Sequence, residues 1–153
     1  MATLYTIGYA NVPRDTLIAA LQEAGVTTLI DVRELPSSRK AGFSKTGLAA
    51  ALSAAGIGYL HLRPLGTPKA GRVANKQKRW SEFWDIVDTQ LATPEARLAL
   101  TRAAAIAAAG PTALLCLEAD HATCHRSRVA DALVALGGFE VEHLHPEPPL
   151  LFG

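Results

Sequence analysis

The sequence predicts an α/β protein with a mostly parallel sheet of about five strands, flanked by helices in three layers. Two observations support this class. Short apolar or β-branched runs alternate along the chain with stretches of helical periodicity, and strands separated by helices form parallel sheets covered on both faces. One run, TALLCLE (112–118), is nearly all apolar, which is typical of a central strand buried on both faces. We expect one domain over residues 1–153.

Each element follows from a local pattern. TLYTIGY (3–9), TTLIDVR (27–33), IGYLHL (57–62), TALLCLE (112–118) and FEVEHL (139–144) are predicted strands. Apolar residues at helical spacing predict helices ending at Gly25 and Gly56, a helix over Trp80–Leu91, and a last helix ending at Gly137. Thr93 followed by Pro94 predicts the cap and first turn of another helix, which ends at Gly110.

Residues 63–79 (RPLGTPKAGRVANKQKR) are predicted to be a loop because they show no apolar periodicity. The segment contains six basic residues and no acidic one, within a chain of formal net charge +1. Such a segment could contact phosphate backbones. A nucleic-acid-binding module that uses this loop is therefore one alternative function.

Composition excludes several classes of protein. The hydrophobic fraction of 49% is that of a globular chain, and two cysteines are too few for a disulfide framework. The first residues lack a signal-peptide pattern, and no apolar stretch is long enough to span a bilayer. We expect a cytoplasmic protein without membrane association and with reduced thiols. The sequence assigns no oligomeric state.

The chemistry-bearing residues cluster after the predicted strands. In a parallel sheet the carboxyl ends of the strands share one edge, and ligands bind there. LLCLEADHATCHRSR (114–128) places both cysteines of the chain beside a carboxylate, an imidazole and a guanidinium. A helix start and nearby cations favour a thiolate. We therefore predict a catalytic group that consists of Cys124, Cys116, Glu118 and His125.

An anion site is predicted beside these thiols. Arg33 and Arg39 follow the second strand, and arginine binds phosphate or carboxylate through paired hydrogen bonds. With Arg126 and Ser38 they form the predicted anion-binding set, for an anionic small molecule or a nucleotide. An internal salt bridge, in which Asp31 or Glu118 pairs with Arg33 or Arg39, is the structural alternative, and both roles are compatible.

The sequence predicts no metal and no cofactor. The spacing C-x-E-x5-C-H is not that of a zinc knuckle, and adjacent Cys124 and His125 are expected to point in different directions. The phosphatase pattern is also absent, because alanine follows each cysteine where that pattern needs arginine.

With these motifs the chain resembles the domain-of-unknown-function 488 family of small bacterial and archaeal proteins. The matching pieces are YTIGYA (5–10), IDVRELPSSRKAGF (30–43), GIGYLHLRPLG (56–66), FW (83–84) and LLCLEADHATCHRSRVA (114–130). The resemblance implies an α/β fold, names no activity, and includes the predicted site residues in its motif. Tyr9 departs from it, since the family commonly has histidine there. A looser similarity to rhodanese-type sulfurtransferases, in LIDVRE and in LLC with its following loop, adds transfer of sulfur through a cysteine persulfide as a second alternative.

Overall fold

The computed structural model describes residues 2–36, 42–116 and 124–146. The strands are β1 (Thr3–Gly8), β2 (Thr28–Asp31), β3 (Gly58–His61), β4 (Thr112–Cys116) and β5 (Glu140–Leu144). The helices are α1 (Arg14–Glu23), α2 (Lys45–Ala54), α3 (Lys69–Lys76), α4 (Trp80–Leu91), α5 (Pro94–Ala109) and α6 (Arg126–Gly137), and a 3-10 turn covers Arg63–Leu65. None of the helices in these described ranges is both long and apolar enough to cross a membrane.

The five strands form one sheet in the order β3-β2-β4-β1-β5, and every neighbouring pair is parallel. The predicted α/β class and the count of five strands are confirmed, and the sheet is wholly rather than mostly parallel. β5 lies at an edge, as the alternation of FEVEHL indicates. β4 is central and buried at all five positions, as its apolar run predicts.

Helices cover both faces of this sheet. Consecutive residues of β4 point to opposite sides: Leu115 joins the core that α1 and α2 form with Leu17 and Leu48, whereas Leu114 joins the core of α4, α5 and α6 with Phe83 and Leu133. The sheet therefore lies between two separate apolar cores, and with the helices on each face it forms the three predicted layers.

The connections leave β4 and its neighbours in opposite directions. β1 and β2 continue into α1 and α2 on one face, and the chain after β4 continues into α6 on the other. A reversal of this kind opens a crevice at the carboxyl ends of the strands, where ligands bind in open α/β sheets. Cys116, the last residue of β4, lies at this point.

The prediction that residues 63–79 form a loop is wrong. Most of the segment is helical, as the 3-10 turn and α3. α3 packs closely against its surroundings: a Cβ added to Gly71 would lie 2.5 Å from a Thr67 methyl carbon and 3.0 Å from an Ile86 methyl carbon in α4. Such contact needs glycine, which the sequence pattern presents as a helix breaker.

The helix over Trp80–Leu91 is confirmed, with Phe83, Val87 and Leu91 buried against the core. Trp80, at its first position, is 39% exposed and contacts Phe83 edge to face. The buried apolar side of this helix therefore begins at Phe83, one turn after Trp80.

Candidate functional site

Two thiols and one imidazole meet at the carboxyl end of β4. The Nδ1 atom of His125 lies 3.5 Å from the Cys116 sulfur and 3.7 Å from the Cys124 sulfur. One ligand atom from each of the three residues lies within 4.8 Å of the others. All three side chains are buried, with exposed fractions of 8% or less. Three of the four predicted catalytic residues therefore form a contiguous cluster.

The main chain after β2 fixes the orientation of the imidazole. The other ring nitrogen of His125, Nε2, lies 2.7 Å from the carbonyl oxygen of Val32. A carbonyl oxygen only accepts hydrogen bonds, so Nε2 carries a proton and donates it. Nδ1 consequently faces the sulfurs, and β2, β4 and the start of α6 all contribute to one site.

Cys124 and His125 reach the same point because a tight turn precedes α6. His125 occupies the cap position with helical dihedral angles, and its carbonyl accepts the first bond of the helix, from the Val129 N–H. The Cys124 carbonyl accepts from the Ser127 N–H at 3.2 Å and from its hydroxyl at 2.9 Å. The expectation that these neighbours diverge is therefore wrong.

The electrostatics of the cluster favour a charge-separated pair. Burial by itself raises the pKa of the Cys124 thiol, but a hydrogen bond with Cys116 and the charges of His125 and Arg126 together hold that pKa well below its ordinary value. Burial by itself lowers the pKa of His125, but the nearby Cys124 charge and the Val32 bond raise it overall. Both shifts act in the direction of a Cys124 thiolate paired with a protonated imidazole.

Arg33 is held in a buried ion pair. Its Nε and Nη2 atoms donate to the two carboxylate oxygens of Asp31 at 2.9 and 2.6 Å. Its Nη1 atom donates to the Phe43 carbonyl at 2.7 Å and to the Tyr9 hydroxyl at 3.3 Å. Tyr59 donates to the same Asp31 carboxylate at 2.5 Å. The predicted internal salt bridge is thus present, and anion binding by Arg33 stays a prediction.

The remaining predicted residues divide into two groups. Arg126, the first residue of α6, is fully buried and close enough for its charge to lower the pKa of Cys124. Glu118, Arg39 and Ser38 lie outside the described residues. The structure therefore brings together the two thiols, the imidazole and one cation of the predicted set.

Two polar side chains at this edge were not predicted. Tyr59 binds Asp31, and Nε2 of His61 lies 2.7 Å from the Arg33 carbonyl oxygen. Both lie on one face of β3, since they are two residues apart in a strand. The alternation of IGYLHL could have predicted their position. In a strand beside the Asp31 strand, these two polar side chains lie on the same face of the sheet as Asp31.

The basic segment 63–79 is partly neutralised. Arg72 donates to Glu34 and to the Thr67 carbonyl, both at 2.8 Å. Arg79 pairs with Glu82. Two of its six cations therefore already have acidic partners.

Fold and site together define a class: a doubly wound α/β protein that carries a thiol pair and an imidazole at its switch point. A family model described as "Domain of unknown function DUF488" matches residues 13–133. That range is more than half of the chain, and the protein belongs to this family, as its motifs indicate. No curated protein and no solved structure matches the chain.

Proposed function

We propose that the protein performs thiol chemistry on a small anionic substrate, such as a phosphate ester or nucleotide, at the carboxyl edge of the sheet. One observation carries the proposal: a single imidazole nitrogen lies 3.5 and 3.7 Å from two sulfurs. A buried structural cysteine needs neither a second thiol nor an oriented imidazole. A nucleophile beside a base that a third group orients is the usual constellation of covalent catalysis.

The roles follow from position. Cys124 is the nucleophile, and His125 takes up its proton while the Val32 carbonyl fixes the ring. Cys116 is the second thiol, within reach of the same nitrogen. The buried charge of Arg126 stabilises negative charge at Cys124.

The anion preference is proposed from charge. A buried guanidinium beside the thiols attracts an anion more strongly than a neutral molecule. Arg39 and Ser38 as further anion ligands, and Glu118 as acid or base, rest on their sequence positions after β2 and β4. Arg33 positions the end of β2 through its ion pair with Asp31.

The test compares two alkylating reagents that differ in charge. Iodoacetate is an anion and iodoacetamide is neutral, and with both the thiolate forms a carbon–sulfur bond as iodide leaves. We expect Cys124 to be modified first, located by peptide mass spectrometry, and faster than in the unfolded chain. The ratio of the iodoacetate rate to the iodoacetamide rate should exceed the ratio for the unfolded chain.

Matched variants separate the roles. Arg126→Met should lower the ratio, whereas Arg128→Met, two residues along the same helix, should leave it unchanged, because Arg128 stacks on Trp84 and pairs with Asp88. His125→Gln should slow both reagents. If Cys124 in the folded protein reacts no faster than in the unfolded chain, or if Arg126→Met leaves the ratio unchanged, the proposal is wrong.

Sulfur transfer is a second candidate, favoured by the hydrogen bond between the two thiols. The Cys124 thiolate would take the outer sulfur of thiosulfate, and sulfite would leave. Cys116 could then attack the persulfide, giving a disulfide and hydrosulfide. Incubation with thiosulfate should leave cyanide-releasable sulfur on Cys124 of a Cys116→Ser variant. If neither Cys124 of this variant nor Cys116 of a Cys124→Ser variant gains sulfur, this candidate is excluded.

Nucleic-acid binding through residues 63–79 is the alternative without catalysis. The pairing of Arg72 with Glu34 weakens it, because that cation is already partly neutralised. It requires an affinity that falls steeply as salt rises. Binding that is insensitive to salt, or no binding at low salt, would exclude it.

A further inference from the structure

We propose that Cys116, Cys124 and His125 also form a binding site for Zn²⁺, with the two sulfurs and the imidazole Nδ1 as three protein ligands. Thiolate and imidazole are the ligands that zinc prefers in proteins. The three ligand atoms lie within 4.8 Å of one another and are buried. The inference goes beyond the proposed function, since it depends on the placement of these atoms and not on their reactivity.

The two sulfur-to-nitrogen distances suit a tetrahedral ion. With Zn–S of about 2.3 Å and Zn–N of about 2.0 Å, tetrahedral angles hold each sulfur about 3.5 Å from the nitrogen. The two distances here are 3.5 and 3.7 Å. An ion that meets all three atoms also requires the two sulfurs, which lie within 4.8 Å of each other, to stand about 3.8 Å apart. Hydrogen bonds from thiol to imidazole have a similar length, so the metal-free protein can keep the same arrangement.

The second ring nitrogen of His125 supports this role. Zinc-bound histidines almost always donate their other N–H to a carbonyl or carboxylate, which fixes the ring and its tautomer. Nε2 of His125 does so to the Val32 carbonyl at 2.7 Å. Nδ1 therefore presents a lone pair towards the sulfurs whenever the ring is neutral.

The three ligands stand on anchored backbone. The Cys116 carbonyl accepts from the Tyr9 N–H at 3.2 Å, which ties the end of β4 to the chain that follows β1. The Ser127 hydroxyl holds the Cys124 carbonyl at 2.9 Å. Ligands on anchored elements lose little freedom when the ion binds, which favours affinity.

Charge also favours a divalent ion. Two thiolates and a neutral imidazole carry two negative charges, which Zn²⁺ balances, so the ion and its three ligands would be neutral, with the charge of Arg126 beside them. Three protein ligands leave the fourth tetrahedral position for water or an anion, as in zinc sites that act on substrates. A metal-bound sulfur is a weaker nucleophile, and zinc would therefore protect both thiols from alkylation.

The experiment uses the reduced full-length protein, stripped with a chelator, and Co²⁺ or Zn²⁺ alone as the probe. Co²⁺ should give a sulfur-to-cobalt charge-transfer band and the visible bands of tetrahedral cobalt, at one ion per chain. Zn²⁺ should displace it and slow alkylation of both cysteines by iodoacetamide, and a chelator should restore the rate. Absence of the charge-transfer band would overturn the inference.

Variants assign the ligands. Cys124→Ser and His125→Gln should each weaken zinc binding by about 100-fold or more, beyond the 10- to 100-fold typical of outer contacts. His61→Gln is the matched control, because His61 makes the same kind of bond, to the Arg33 carbonyl. It should retain the affinity of the unmodified protein. Equal loss in His61→Gln and His125→Gln, or unchanged affinity in Cys124→Ser, would overturn the inference.

The two proposals fail separately. Zinc binding by a protein whose metal-free thiols react slowly would support the metal site and reject the reactive thiol. Fast alkylation without the cobalt band would do the reverse. If Cys124→Ser does not fold, judged by circular dichroism, Cys116→Ser replaces it, and the protection experiment on the unmodified protein needs no variant.

Discussion

The ion pair beneath the site gives the sharpest stability prediction. Asp31 is fully buried, and Arg33, which is 6% exposed, donates two side-chain hydrogen bonds to it. Asp31→Asn keeps the size of the side chain and removes its charge. The buried guanidinium then lacks a counter-ion, and removing one partner of a buried pair costs about 3–5 kcal/mol. A domain of this size is stable by about 5–15 kcal/mol, so the variant should still fold.

The same substitution at an exposed pair is the control. Asp88 lies 3.5 Å from Arg128, with 57% and 42% of these side chains exposed, and exposed pairs contribute about 0–1 kcal/mol. Urea unfolding at neutral pH should show a large loss for Asp31→Asn and almost none for Asp88→Asn. A loss below about 1 kcal/mol for Asp31→Asn, or equal losses in both variants, would refute the reasoning.

A double variant tests the cause. Asp31→Asn combined with Arg33→Met removes the charge that Asp31→Asn leaves unpaired. Replacement of a whole buried pair is often close to neutral, so the double variant should be more stable than Asp31→Asn alone. If the double variant loses as much stability as Asp31→Asn and Arg33→Met together, the pair does not act as a unit.

Three further predictions concern single side chains. Burial and the bond to Asp31 raise the pKa of Tyr59 above its ordinary value. The stability that Tyr59 contributes is therefore fully present below about pH 10 and is lost as the pH rises further. Tyr59→Phe should cost about 1.5–3 kcal/mol at neutral pH, and the gap in unfolding free energy between the two proteins should close in alkaline urea titrations. A gap that is constant with pH would count against this. Gly66→Ala would place a Cβ 2.1 Å from a backbone nitrogen, whereas at Gly58 the nearest contact is 3.7 Å. Gly66→Ala should therefore lower the melting temperature far more than Gly58→Ala; equal shifts would contradict it. Thr93→Ala removes the cap of α5 and should cost about 1 kcal/mol in urea; an unchanged midpoint would show that the cap is not needed.

The central strand and the start of α5 are features that the sequence alone is sufficient to predict. The apolar run TALLCLE (112–118) is sufficient to predict a central strand, because only a doubly covered strand buries every position. Thr93 and Pro94 likewise predict the start of α5, since capping is a local effect. These features depend on neighbours in the chain, and the structure confirms them.

The features that sequence reasoning missed depend on contacts distant in the chain. The helix α3 packs against α4 through Gly71, and its buried side consists of small residues, Gly71 and Ala74, which are weak signals of a core-facing helix. The convergence of Cys124 and His125 depends on the Val32 carbonyl, which the chain supplies more than ninety residues earlier. Side-chain direction at a helix start is a tertiary property, so the motif spacing alone argued against the geometry that forms.

The sheet order also has a consequence for how the chain folds. Thr28 of β2 pairs with Gly58 of β3, whereas Leu4 of β1 pairs with Thr112 and Thr3 with Glu140. During synthesis β1 therefore has no strand partner until β4 has left the ribosome, and pairings so distant in sequence form slowly. Cys116 reaches the Val32 end of β2 in that same late step. Thiol alkylation during refolding would therefore report when the two halves of the protein join.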